Sequence, residues 1–448
     1  MAKTALTRRT VIATGAAAAA TLTTPFMHGT YAAGRLQVGF WDHWVPGAND
    51  AARKLAEEWA AKEKVEVKLD FITSTGDKLR ITTAAEAQAG SGHDVLAMST
   101  WLPNSYAEKL EPVDDVVTAL IKQSGDVGKT VEYLGKANGK WIAVPTCIGT
   151  QTKPPCGRID LFKQHVGLDV TQMYPAGKPE DKELAGKWTW DFFLEAAEKC
   201  AKAGAPFGLP MGPTSDAVDW VGAVFAAYGA SLVDDKGNIT VKSDATKQVL
   251  EWFKKLVPHL PGDVFAWDDA GNNKILVSGK SALIMNPPSA WAVAKRDAPQ
   301  IAEQLWTFGP PKGPKGRYTP FLPYYWTVWK YSPNKAAAKS LLTHLLQPAS
   351  VEQLVTASQG YDIPPYEKMR DFNVWAEQGP PKGTIYNYPP RSDQIASISC
   401  APAPPKIAVQ MYTQGTMTKM IAQCTQQGKT IDQALAWAAD EIEGFMRT

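Results

Sequence analysis

Net charge is almost missing from this chain of 448 residues, in which 47 Lys and Arg stand against 45 Asp and Glu. Three of those cations, Lys3, Arg8 and Arg9, lie in the first 33 residues beside no acid, leaving 44 cations against 45 anions. Such a balance lacks the basic excess that neutralises a phosphate backbone, which argues against nucleic acid as a partner. Cysteine is scarce: Cys147, Cys156, Cys200, Cys400 and Cys424, with no CxxC, beside six scattered His. That argues against a zinc site. In an oxidising compartment Cys147/Cys156 and Cys400/Cys424 are the pairs closest in sequence, and the odd count leaves at least one thiol over. No run of 18 apolar residues follows the amino-terminal segment, so the mature protein is expected to be soluble. Catalytic motifs are missing too. Gly279-Lys280-Ser281 ends like a phosphate loop, but Lys274 stands where the first glycine is required. No G-x-S-x-G occurs. Asp42, Asp94, Asp219, Asp268 and Asp269 could supply a glycosidase pair only at a separation of about 5 to 9.5 Å, which sequence does not reveal; surface charge and hydroxyl acceptance are the plainer reading. No cofactor fingerprint is present, and none is expected.

What the chain does hold is tryptophan: 16, against 14 Tyr and 14 Phe. That ranking is unusual and points to stacking on a ligand. The apolar share of 44% and charged share of 21% are those of an ordinary soluble protein. The length suggests two or three domains at about 150 residues each.

Residues 1–33 read as an export signal. A cationic start precedes a mild Ala/Thr-rich stretch from Val11 to Thr24, then small residues, with cleavage expected near Ala32 or Gly34. Arg8-Arg9 followed by Val11 and Ile12 resembles the twin-arginine export signal. A Sec signal carrying two adjacent arginines is the alternative. No cysteine follows, so a lipid anchor is not expected.

Beyond it, Leu36–Phe40 reads as a buried strand. Asn49 and Asp50 can cap a helix with Ala52, Leu55, Ala56, Trp59 and Ala60 on its apolar face. Val65, Val67, Leu69 and Phe71 alternate as one face of a second strand. Strand, helix and strand within about 35 residues make a βαβ unit with parallel strands. Ile81–Ala89 reads as helix and Asp94–Met98 as a third strand. The fold class is therefore α/β, and in open parallel sheets ligands sit beyond the carboxyl ends of the strands. Two loops there carry indoles beside polar groups: Trp41, Asp42, His43 and Trp44 after the first strand, and Ser99 with Trp101 after the third. A single Trp is more often core; two such loops at one edge make ligand contact comparably good. Further on, a short strand spans Gly139–Pro145, and a helix begins near Thr189 with Leu194, Ala197 and Ala201 inward. Helices cover Val218–Tyr228 and Ala245–Leu256, and Ile239–Val241 forms a short strand. A strand over Gly279–Met285 is followed by the loop Asn286–Trp291. An irregular connection over Gly309–Pro323 leads into Tyr324–Trp329. Helices over Ala336–Leu346 and Thr430–Arg447 follow.

These landmarks, in order, resemble the extracellular solute-binding proteins of bacterial ABC importers, in the carbohydrate-binding class. They are the βαβ opening, Ala89–Leu96, Leu110–Asp115, Gly139–Pro145, Asp160–Phe162, Lys187–Ala197, Gly279–Met285 with Trp291, and Tyr331–Ala338. The resemblance runs from about residue 36 to 440. It implies a two-lobed periplasmic-binding-protein fold with a hinge and a central ligand cleft. Residues 35–146 plus 327–370 would form the first lobe, and 147–326 plus 371–448 the second. Departures are Cys156–Ile159 before Asp160, and the proline clusters Lys153–Pro155 and Ala401–Pro405. The implied function is periplasmic delivery of a carbohydrate or polyol, by cleft closure, to an inner-membrane ABC permease and its ATPase, without catalysis and as a monomer. Asp219, Trp220, Asn286 and Trp291 would come from the second lobe, with Trp220 and Trp291 favoured for stacking. Gln151 would lie near the earlier crossing, and Tyr324, Tyr325 and Trp326 near the later one. The alternatives are a non-sugar solute, such as glycerol phosphate or a polyamine, and a secreted polysaccharide-active enzyme. The first-lobe loops Trp41–Gly47 and Ser99–Asn104 hold no Lys or Arg for an anion, and at sequence level only Asp42 and Asp219 suit a polyamine.

Overall fold

The structure, a computed structural model, describes residues 34–386 and 393–447; the expected export signal lies outside the described residues. Strand β1 (Arg35–Trp41), helix α1 (Pro46–Glu63), strand β2 (Glu66–Ile72), helix α2 (Lys78–Ala89) and strand β3 (Val95–Ser99) build the expected opening. Strand β1 lies parallel to β2, from Arg35 opposite Glu66 to Trp41 opposite Ile72, and parallel to β3 on its other edge. Helix α1 buries Ala48, Ala52, Leu55, Ala56 and Trp59. It starts earlier than expected, because Pro46, with its fixed φ, is preorganised for the first turn. Asn49 and Asp50 are thus inside the helix and cap nothing.

Two long strands then cross the molecule. Strand β4 (Val144–Thr152) is buried throughout, and its partner further along the chain is Arg317–Val328. The second half of the molecule begins with strand β5 (Cys156–Arg158) and helices α3 (Trp190–Lys202), α4 (Ser215–Tyr228), α5 (Asp244–Leu256) and α6 (Gly271–Val277). Strand β6 (Leu283–Ile284), helix α7 (Pro287–Asp297) and strand β7 (Leu305–Thr307) follow. Strands β6 and β7 flank β5 antiparallel in a small sheet. The returning strand Arg317–Val328 is β8, and helices α8 (Lys335–Leu345) and α9 (Pro348–Ala357) pack behind the large sheet. Strand β9 (Gln394–Ser397) pairs parallel with the start of β8, and α10 (Pro405–Gln414), α11 (Thr416–Thr425) and α12 (Ile431–Arg447) complete the second half.

The large sheet runs β2-β1-β3-β8-β9, with β4 antiparallel on β8. Tyr324 faces Ser99 on one side and Thr146 on the other, and the β8/β4 register slips between Leu322 and Tyr324, at Pro323. Two lobes are joined through this antiparallel crossing.

Several expectations needed correction. The short strand over Gly139–Pro145 is a tight hairpin, Lys136–Ala137 with Lys140–Trp141, followed by the long β4. Buried polar residues Thr146, Thr150, Gln151 and Thr152 hid that strand from a hydrophobic pattern. Gly309–Pro323 is irregular only in part, since β8 starts at Arg317. Asn286–Trp291 is not a loop but the start of α7, where Pro287 and Pro288 open the helix. Ile239–Val241 makes only an isolated bridge to Val233. Thr189 does cap α3, accepting from the Phe192 N–H at 3.2 Å, but the helix buries Trp190, Phe193, Ala196, Ala197 and Cys200, so the inward face is rotated. All five cysteines are buried free thiols, and no disulfide links the expected pairs.

Candidate ligand cleft between the lobes

Helix α4 carries the second-lobe wall. Thr214 caps it, accepting from the Ala217 N–H at 3.3 Å, and the helix is buried on nearly every side. Its first turns aim Ser215, Asp216 and Asp219 at the crossing strands, with Asp216 and Asp219 three apart on one face. Lys153, at the end of β4 and fully buried, answers them. Its ammonium lies 2.7 Å from Asp216 Oδ1 and 2.8 Å from Asp219 Oδ2. Asp216 Oδ2 accepts from Asn272 Nδ2 and Asn286 Nδ2, each at 2.8 Å, and Asp219 Oδ1 accepts from the Tyr412 hydroxyl at 3.0 Å. Burial pulls the Lys153 ammonium down, but the charges of Asp216 and Asp219 and the hydrogen bonds to both overcome it, so it stays above the ordinary lysine range. Burial raises the Asp219 carboxyl despite Lys153 and Tyr412.

Asp269 is the fourth charged member of this wall. Its carboxylate has only long contacts, to Ser215 Oγ at 3.3 and 3.4 Å and to the Asp216 N–H at 3.4 Å. Burial and the Asp216 charge push it up to about 7, against the pull of Lys153.

Two adjoining cavities lie between these residues and the first lobe. The larger, about 90 Å³, has Ser74, Asp77, Arg80 and Ser99 on one side and Thr214, Ser215, Asp269 and Tyr412 on the other. The smaller, about 30 Å³, is walled by Trp41, Trp44, Gln151, Asp216, Asn286 and Tyr361. Ser74, Ser215, Asp269 and Tyr324 line both. The Trp41 ring stands 5.3 Å from Tyr324 and 5.9 Å from Tyr361 between centroids.

Four residues around the smaller cavity hold buried polar atoms without a hydrogen-bond partner: Trp41 Nε1, Gln151 Oε1, Asn286 Oδ1 and the Tyr361 hydroxyl. Each such group is normally paired, and leaving it unpaired costs roughly 1–3 kcal/mol. Donors and acceptors are mixed here. A ligand bearing hydroxyls, which do both, answers the set.

Of the residues expected at the site, the structure brings Trp41, Trp44, Ser99, Gln151, Asn286 and Tyr324 to these walls. The others are elsewhere. Asp42 is exposed and accepts from Asn49 Nδ2 at 2.8 Å. His43 is buried behind the wall: Nδ1 accepts from the Val45 N–H at 2.8 Å and Nε2 meets Asp362 Oδ1 at 3.1 Å. Trp101 is fully buried away from both cavities, donating to the Ser399 carbonyl at 2.9 Å. Asp219 stands behind Asp216 on Lys153. Trp220 is enclosed in the second-lobe core, donating to the Pro210 carbonyl at 2.8 Å with its ring 5.4 Å from Phe253. Trp291 is half-buried on α7 and lines neither cavity. Tyr325 donates to the Val131 carbonyl at 2.9 Å, and Trp326 stacks on Phe40 at 4.9 Å, both in the core. Aromatic side chains therefore come to these cavities chiefly from the first lobe and the crossing, while the second lobe offers carboxylates, amides and hydroxyls together with Tyr412.

Sequence reading missed Ser74, Ser215, Asp216 and Tyr361, and weighed Asp269 only as a glycosidase carboxylate. The Asp216-x-x-Asp219 spacing behind a Thr cap was the available signal.

A family model described as bacterial extracellular solute-binding protein matches residues 46–352. Among solved structures, maltose-bound MalE3 of T. maritima is 18% identical, with a TM-score of 0.72 over 91% of this chain and 99% of that one. The GacH receptor of Streptomyces glaucescens GLA.O, solved unliganded and with acarbose, is 19% identical at a TM-score of 0.70, covering 93% and 99%. A solute-binding protein of Agrobacterium radiobacter K84 in complex with ribitol is 16% identical at 0.67, covering 92% and 98%. No curated protein sequence matches the chain.

Proposed function

This chain belongs to the bacterial extracellular solute-binding proteins, and from that premise we propose that it binds a carbohydrate or polyol between its lobes. The observation that carries the reading is the ring of unpartnered Trp41 Nε1, Gln151 Oε1, Asn286 Oδ1 and Tyr361 hydroxyl around one cavity. The maltose and ribitol held by proteins of the same fold support it. Aromatic faces at Trp41, Trp44 and Tyr324 take the C–H side of the solute, and Ser74, Ser99, Ser215 and Asp269 add partners for its hydroxyls.

The lobes are 35–146 plus 327–370 and 147–326 plus 371–448, and the register slip at Pro323 is where they hinge. Ligand binding stabilises the closed arrangement, which an inner-membrane ABC permease and its ATPase recognise. The protein is exported, works as a soluble periplasmic monomer and leaves its solute chemically unchanged. Among the described residues, no helix is long and apolar enough to cross a membrane.

The test is thermal-shift screening against sugars and polyols, followed by small-angle scattering with each hit. A solute at a hundredfold excess over Kd adds about 2.7 kcal/mol of stability, and the scattering radius shrinks with it. A panel in which nothing raises the melting temperature or compacts the protein overturns the reading.

A further inference from the structure

We propose that the solute preferred by this cleft carries a protonated amine among its hydroxyls, seated against Asp269. The inference rests on the carbohydrate or polyol reading and narrows it.

Charge in the cleft does not balance. Asp216 and Asp219 share the single cation Lys153, and on the opposite wall Asp77 is held by Arg80 at 2.6 Å. Asp269 adds a carboxylate that forms no ion pair among the described residues. Its remaining charged surroundings are Asp216 and Lys153 on its own side, Asp77 and Arg80 across the cavity, and the exposed Asp268–Lys274 pair beside it in sequence. Tyr324 and Tyr412 complete its walls. A half-buried carboxylate served only by long neutral contacts is an unfavourable arrangement unless it is protonated or meets a cation.

The acceptors beside it point to the cation. Asn286 is 4% exposed, and because its Nδ2 is committed to Asp216, its unpartnered Oδ1 is a fixed acceptor on the same cavity wall. Gln151, also 4% exposed, adds an unpartnered Oε1. An ammonium has three N–H donors, which Asp269, Asn286 and Gln151 match in number. The small cavity, about 30 Å³, holds one group the size of a water or an ammonium. Trp41 and Tyr361 close the same cavity. A hydroxyl in that place would leave the Asp269 charge unanswered.

The experiment is calorimetric titration of the mature protein with matched pairs. 1-Amino-1-deoxysorbitol is set against sorbitol and against its N-acetyl form, and glucosamine against glucose and N-acetylglucosamine. At about pH 8 the aliphatic amine is expected to bind at least about tenfold more tightly than sorbitol and its N-acetyl form. That gap should shrink roughly tenfold by about pH 6, as Asp269 takes up a proton. Asp269→Asn should abolish the gap. Equal or tighter binding of the neutral partner, or a gap that survives Asp269→Asn, overturns this inference while leaving the polyol reading intact. Absence of binding by every member of both sets overturns both.

Discussion

Lys153 at the end of the crossing strand β4 and Asp216 in the first turn of α4 hold each other at 2.7 Å, both buried. The contact ties the hinge strand to the second-lobe wall, and Asp219 shares the same ammonium at 2.8 Å. Removing the cation alone strands two carboxylates in the interior. Lys153→Met is therefore expected to destabilise the protein by about 3–5 kcal/mol in urea unfolding. Adding Asp219→Asn to that variant should recover part of the loss, since one uncompensated charge is gone. A Lys153→Met protein as stable as the parent would show that the pair is not formed in solution.

Two tryptophans separate packing from recognition. Trp220 is fully buried against Phe253, with its N–H on the Pro210 carbonyl. Trp220→Ala should lower stability by about 3–5 kcal/mol. Trp44 is half-buried at the cavity mouth, so Trp44→Ala should cost stability less than about 1 kcal/mol yet weaken solute binding several-fold. Denaturant midpoints and calorimetric titration of both variants make the comparison. Strong loss of affinity with unchanged stability at Trp220 would return that ring to the cleft.

The same contrast shows what was legible in the chain. The βαβ opening could be read because Val65, Val67, Leu69 and Phe71 alternate and the face of α1 repeats every three to four residues, patterns that local physics imposes. The crossing strands could not, because β4 and β8 are buried against both lobes and tolerate Thr146, Thr150, Gln151, Pro320 and Pro323 where a pattern demands apolar residues. Trp41, Trp44 and Asn286 line the smaller cavity, where a strand end suggests them, and Gln151 lines it where the resemblance implies a crossing. Trp101, Trp220 and Trp326 were misplaced because an indole near a strand end, helix or crossing reads alike whether its face meets solvent or core. Asp216 was passed over since its importance comes from Lys153, 63 residues away in sequence.

A second, partly buried charge site gives a pH dependence. His93 Nδ1 lies 2.5 Å from Glu86 Oε1 and its Nε2 lies 3.1 Å from Asp70 Oδ2. Burial pulls its pKa down, but hydrogen bonds and charges from Glu86 and Asp70 outweigh that and leave it above the ordinary histidine value. A folded-state pKa above the unfolded one means that the stabilisation is complete below about pH 6.5 and is lost as pH rises through the folded value. The melting temperature of the parent should therefore fall relative to His93→Gln between about pH 6 and neutral or slightly alkaline pH. Parallel pH profiles for the two proteins would remove His93 from the account.

Gly149 lies in β4 opposite the ring that lines both cavities. Its φ is +87°, and a Cβ there would stand 2.8 Å from Cγ and Cδ2 of Tyr324. Its N–H donates to Asp362 Oδ1 at 2.8 Å, so the backbone is pinned and the ring must give way. Gly149→Ala thus meets two penalties, a left-handed backbone on an alanine and displacement of Tyr324, together about 2–4 kcal/mol. Gly139 separates them. It has φ +76° and a methyl added there would meet nothing within 4 Å, so Gly139→Ala should lose only about 1–2 kcal/mol. Solute affinity should drop several-fold in Gly149→Ala and stay unchanged in Gly139→Ala, because only the first moves the Tyr324 ring out of the cavity wall. Equal affinities in the two variants would show that the position of Tyr324 does not govern binding.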